Sequence, residues 1–192
     1  MSEAAWSLFP TDVGPCAIVW GPGGILGVLL PERDETETRQ RLGRRYPDAI
    51  EAAPPPDVQG VIARIVALLA GERVDFADAP LDLTDIPDFN RRVYAVARAI
   101  PPGETLTYGD IARQVGTVAD ARAVGQALGR NPWPIVVPCH RVLAASGRTG
   151  GFSAPGGIDT KLRILSIEAR HASAPPSLFP DLPLAAKPLR GR

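Results

Sequence analysis

The 192-residue sequence is poor in the residues from which cross-links and metal cages are built, having two cysteines and two histidines. Cys16 and Cys139 lie far apart, and no secretory h-region or membrane-spanning apolar run accompanies them, so a disulfide framework is not expected. The reading is a cytoplasmic chain with reduced thiols and no membrane partner. Cys139 and His140 lack two further ligands at a workable spacing and His171 stands alone, so no metal site is expected. Internal repeats are absent. What the chain does have is 45% hydrophobic content, enough to bury a core in one large or two small domains.

Net charge is also absent, but only as a sum. Residues 1–88 hold 15 Asp and Glu against 7 Lys and Arg, whereas residues 89–170 hold 5 against 11. A basic second half suits a polyanionic partner, although one solvated face could produce the same split.

Two apolar runs, 16–20 and 25–30, flank Gly21-Pro22-Gly23-Gly24 and predict a β-hairpin. A charged helix follows over 32–45, and after Ala53-Pro54-Pro55-Pro56 the residues Val58, Ile62, Ile65, Val66 and Leu69 recur at helical spacing up to Gly71. Leu81, Leu83 and Ile86 read as a strand and connector. Beyond it, Phe89, Val93, Val96, Ala97 and Ile100 describe a helix stopped by Pro101-Pro102-Gly103. Short helices over 108–115 and 121–129, separated by Gly116 and residues 117–120, suggest a helix-turn-helix. Ile135-Val136-Val137 reads as a buried strand, residues 146–157 as a glycine-rich loop, and residues 159–170 as a helix turning Leu162, Leu165 and Ile167 inward. The tail, 171–192, is proline-rich and expected to be disordered. The fold class is thus α/β (α+β): a small N-terminal domain with a β-sheet and helices over 1–88, then a mainly helical C-terminal domain over 89–170 that carries the helix-turn-helix and the cysteine of interest.

That cysteine sits in Pro134-Ile135-Val136-Val137-Pro138-Cys139-His140-Arg141-Val142. Cysteine attacks as a thiolate, and a neighbouring imidazole can supply the base, with Glu168 as its orienting carboxylate. Adjacent residues of an extended strand point apart, so a bridging water or a local turn is needed for Cys139 and His140 to cooperate. Taken singly, a free cysteine is more often a small buried hydrophobe, the reading that suits Cys16.

Pro138-Cys139-His140-Arg141-Val142 resembles the active-site signature of the O6-alkylguanine-DNA alkyltransferases, or methylated-DNA-protein-cysteine methyltransferases. The likeness extends to Gly103-Glu104-Thr105-Leu106-Thr107-Tyr108, Ala121-Arg122-Ala123-Val124-Gly125, Asn131-Pro132 and Gly150-Gly151-Phe152-Ser153. It implies direct reversal of DNA damage, in which an alkyl group moves irreversibly, once per molecule, from O6-alkylguanine (and O4-alkylthymine) to Cys139. It implies a ribonuclease-H-like support domain over 1–88, no cofactor, double-stranded DNA containing alkylated guanine as partner, and association with the nucleoid when bound. By the same resemblance His140 is the base through a water, Glu168 supports it, Asn131 orders the turn, and Tyr108 donates to the leaving guanine and helps to rotate the nucleotide. Arg122 fills the vacated stack from a minor-groove helix whose Ala121, Ala123 and Gly125 permit close approach, with Gln126, Arg130 and Thr107 also at the DNA. Pro134, Val142, Gly150, Phe152 and Ser153 form the substrate pocket. Phe152 stands where some members carry tyrosine, and Ala154-Pro155 lengthens the loop. The zinc site of some members is not expected, since residues 1–88 lack histidine and hold only Cys16. A monomer is expected, because one thiol per chain needs no symmetry. The competing readings are a lesion binder without chemistry, a helix-turn-helix regulator, and a cysteine hydrolase. Lesion binders of this family replace the cysteine, and Cys139 is present.

Overall fold

The computed structural model describes residues 4–116, 120–145 and 149–171. The expectations for the turn at 117–119, for part of the glycine-rich loop at 146–148 and for the tail from 172 lie outside those residues.

The hairpin forms as the sequence predicts. Strands β2 (Cys16–Gly21) and β3 (Gly24–Leu29) pair antiparallel around Pro22-Gly23. Two further strands complete the sheet: β1 (Ala5–Phe9), antiparallel to β2, and β4 (Ile50–Glu51), parallel to β1, giving the order β3-β2-β1-β4. Neither was visible in the sequence. β1 shows why, since only its two end residues are buried and no two-residue alternation results.

Each sheet face has its own cover. Ala17, Val19 and Leu29 pack with Leu42 of α1 (Glu35–Arg45), which Asp34 caps by accepting from the Glu37 N–H. Ile18, Trp20, Ile25 and Val28 face the main core, which takes in Val58, Val61, Ile65 and Leu68 of α2 (Pro56–Leu69). Helix α2 has no side-chain cap. The loss of about 1 kcal/mol is small beside five buried aliphatic side chains, each contributing roughly 1.5–3 kcal/mol.

The same core continues into the second half through Val93, Tyr94 and Ala97 of α3 (Asp88–Arg98), Ile111 of α4 (Tyr108–Val115), Val124 of α5 (Ala121–Gly129) and Ile164 of α6 (Gly157–His171). Strands β5 (Leu106–Thr107) and β6 (Val142–Leu143) add a short parallel pair. Helix α4 starts and stops where the sequence says. Thr107 and Asp110 close a capping box, and Gly116 follows the last turn at φ 124°.

Three expectations need correction. Residues 135–137 are turns, because Val137 N–H bonds to the Trp133 carbonyl at 2.8 Å and Cys139 N–H to the Val137 carbonyl at 2.8 Å, leaving no ladder to a neighbouring strand. β-branched composition favours a strand only where a partner strand lies alongside. Leu81 makes a single bridge to Ile25, and Leu83 and Ile86 lie outside any strand. Helix α6 begins at Gly157, and its most deeply buried residues are Lys161, Ile164, Ile167 and Glu168, whereas Leu162 and Leu165 are half-buried.

The β3 edge of the sheet is what seats the site. Val28 N–H donates to the Pro132 carbonyl at 2.9 Å, and Trp133 Nε1 donates to the Ile25 carbonyl at 2.6 Å. Besides its bridge to Leu81, the outer edge of β3 thus anchors the segment leading into Cys139, and the buried Trp133 ring meets Tyr94 edge-on at 5.9 Å.

Candidate active site

Residues 133–141 run through successive tight turns. Ile135 adopts φ 75°, strained for a β-branched residue, with a cost on the order of 1–3 kcal/mol. Pro138 at φ −78°, ψ 66° closes an inverse γ-turn, and a 3-10 turn, Cys139–Arg141, follows. Asn131 pins this path, its Nδ2 donating to the Val137 carbonyl at 2.8 Å while its Oδ1 accepts from Trp133 N–H at 2.9 Å. The turn removes the strand geometry that would aim Cys139 and His140 in opposite directions.

Cys139 lines a cleft of roughly 130 Å³ together with Asn131, Pro134, Phe152 and Ser153. Burial raises its thiol pKa, an effect opposed by the Asn131 amide and the Lys161 ammonium. Cys16 is sealed in the sheet, with burial raising its thiol to about 12. The two cysteines therefore differ in access as well as in surroundings.

His140 is fully buried, its Nε2 3.0 Å from Glu168 Oε1, and its Nδ1 has no hydrogen-bond partner. A carboxylate beside Nε2 fixes the proton there and leaves Nδ1 as a free acceptor. Burial lowers the His140 pKa, against the pull of Glu168. That pull is weakened because Glu168 is shared: Arg141 Nη2 reaches Glu168 Oε1 at 2.7 Å and its Nε lies 3.1 Å from Oε2. Burial alone would raise Glu168, but His140 and Arg141 hold it down to about 2. Arg141 in turn bonds the Ile100 carbonyl at 2.6 Å, and Gly103 N–H bonds Glu168 Oε2 at 3.2 Å. The ensemble holds a neutral imidazole, oriented and buried, with one open lone pair.

Sequence reasoning assigns Arg141 and Lys161 no role. Lys161 is buried, donates to the Val142 carbonyl at 2.6 Å and stands 5.9 Å from the Tyr108 ring centroid; burial lowers it to about 8. The detectable signal was a lysine and a glutamate seven apart, bracketing Ile164 on one helical stripe.

Other proposed residues fall into place unevenly. Tyr108 opens α4 and donates to the Gly151 carbonyl at 3.4 Å, and burial raises its phenol pKa. A Cβ on Gly150 would lie 2.9 Å from the Tyr108 ring, at φ 66°, so glycine is required for that loop to close on the tyrosine. Ser153 Oγ donates to the Gly129 carbonyl at 3.0 Å, tying the loop to the end of α5. Thr107 caps α4, whereas Ala121, Arg122 and Gln126 are exposed on α5, and Ala123 and Gly125 are half-buried. Val142 is buried in β6 and Gly150 packs on Tyr108, so neither lines the cleft. Among the described residues no group of three or more His, Cys, Asp or Glu side chains stands where it could hold a metal ion.

Comparison with known proteins places the chain among relatives of known name. Residues 88–170 match the family model described as 6-O-methylguanine DNA methyltransferase, DNA binding domain. The methylated-DNA-protein-cysteine methyltransferase of Mycobacterium tuberculosis is 43% identical over 170 residues, covering 88% of this chain and 94% of that one. A DNA base-flipping protein of Thermus thermophilus is 41% identical over 162 residues, covering 83% and 96%. The crystal structure of Mycobacterium tuberculosis OGT in complex with DNA superposes with a TM-score of 0.69 at 34% identity, covering 86% and 93%.

Proposed function

Because the chain belongs to the methylated-DNA-protein-cysteine methyltransferase family, we propose that it repairs DNA by moving the alkyl group of O6-alkylguanine to its own Cys139. The observation that carries this is the sulfur at the cleft beside a buried imidazole whose Nδ1 has no partner.

The thiol proton passes through a water to His140 Nδ1, while Nε2–H remains on Glu168. The thiolate attacks the alkyl carbon as the C–O6 bond breaks, and the electron pair stays with guanine, which takes a proton as it leaves. On this reading Tyr108 donates to the guanine ring as it leaves. A thioether has no easy reverse path, so each chain reacts once. Reaching O6 demands an extruded nucleotide, at a cost of a few kcal/mol that the pocket and an intercalated Arg122 offset. O4-alkylthymine offers the same ether carbon and is a second substrate on this reading. Residues 1–88 serve as the support for a catalytic unit over 89–170 that acts as a monomer.

The Thermus relative named as a base-flipping protein makes lesion binding without transfer the second reading. The test is the intact mass of the protein after incubation with a duplex carrying O6-methylguanine. A gain of one methyl per chain, absent in Cys139→Ala and retained in Cys16→Ala, supports transfer. Retention of the duplex with no mass change would establish the binder instead.

A further inference from the structure

The cleft has a second wall, which comes from the acidic half of the chain. Arg41 and Arg45, one helical turn apart on α1, line the same opening as Cys139, Arg130 and Ser153. An ordinary solvated helix face would scatter its arginines; these two converge on the site. Their placement is fixed by backbone. Tyr46, directly after α1, donates its hydroxyl to the Leu26 carbonyl at 3.3 Å, and the next residue, Gly27, has no room for a Cβ against that hydroxyl. Val28 then holds Pro132, two residues before Pro134 of the cleft.

Their charges are not equally engaged. Arg41 pairs with Glu32 at 2.9 Å. Arg45 stacks over Tyr46, its guanidinium carbon 5.5 Å from the ring centroid, and among the described residues it makes no ion pair; Arg130, which caps the end of α5 and lines the same cleft, makes none among them either. Two exposed guanidiniums, neither paired with a carboxylate among the described residues, line a cleft that must admit a nucleotide and match the two phosphates that the nucleotide carries.

Building on the transfer reading, we propose that Arg45 of α1, supported by Arg41, and Arg130 of α5 clamp the phosphates on either side of the extruded nucleotide. The N-terminal half is then part of the DNA-binding surface, not only a scaffold. Arg122 acts inside the duplex, whereas this clamp acts at the mouth of the cleft.

The test compares two methyl donors on the full chain, a duplex with O6-methylguanine and O6-methylguanine as the free base, which has no phosphate. In Arg45→Ala, transfer from the duplex should fall roughly tenfold and its dependence of log rate on log salt should flatten by about 1, as expected for one lost phosphate contact. Transfer from the free base should slow no more than twofold. Arg45→Glu should slow the duplex reaction further, and Arg44→Ala, one residue away and outside the cleft lining, should change neither donor. An unchanged salt slope in Arg45→Ala, or equal slowing with both donors, would overturn the clamp. A wild-type chain that takes no methyl from either donor would overturn the transfer reading itself, a result visible without any variant.

Discussion

Three residues, Cys139, His140 and Glu168, share one proton path, and each has a separable effect. His140 is held neutral by burial, so wild-type transfer should fall on acidification only below the ordinary imidazole value of 6.5, and rise on the alkaline side as the raised Cys139 thiol ionises. His140→Gln should lose about 10²–10⁴ in rate, measured by single-turnover transfer across pH. Glu168 has its carboxyl depressed from 4.5 to about 2, so the stability it contributes is present above pH 4.5 and is lost as pH falls through about 2. Buried His140 adds in the same direction below 6.5, since the unfolded chain binds its proton first. Glu168→Ala leaves the buried Arg141 guanidinium unpaired and should cost about 3–5 kcal/mol in denaturant unfolding at neutral pH. Cys139, His140 and Asn131 were legible because they sit in or beside a compact motif, whereas Glu168, 28 residues beyond His140, was reached only as a carboxylate of the last helix. Arg141 and Lys161 were not, because charged residues read by default as solvated, and only the three-dimensional packing shows that each is buried against a named acceptor.

Helix boundaries were legible wherever a cap or breaker marked them. Thr107 and Asp110 at one end and Gly116 at the other place α4 to the residue. Tyr108 is the first residue of that helix, so the capping box also aims a side chain of the site. Thr107→Ala should lower stability by about 0.5–2 kcal/mol, seen as a reduced melting temperature, and should slow transfer through Tyr108 without altering the His140 pH limb. Segments 135–137 and 5–9 failed for opposite reasons. The first has strand composition but its hydrogen bonds close within turns, and the second pairs on both sides without an alternating pattern. Strand identity depends on what lies alongside, which a linear reading does not contain.

At the scale of the molecule, one apolar cluster runs from Ile18 and Ile65 to Val93, Trp133 and Ile164, crossing residue 88. A single calorimetric transition for residues of both halves is expected, and Trp133→Ala, at the crossing, should cost about 3–5 kcal/mol while exposing Cys139 to alkylating reagents. The charge split between halves was legible, but the basic lip that α1 turns toward the cleft was not, since it depends on contacts between residues some ninety positions apart. The account as a whole stands on one sulfur. Peptide mapping of the protein after reaction with an O6-methylguanine duplex should find the methyl on the peptide holding Cys139 and none on that holding Cys16. A methyl on Cys16, on both cysteines equally, or on neither would contradict it.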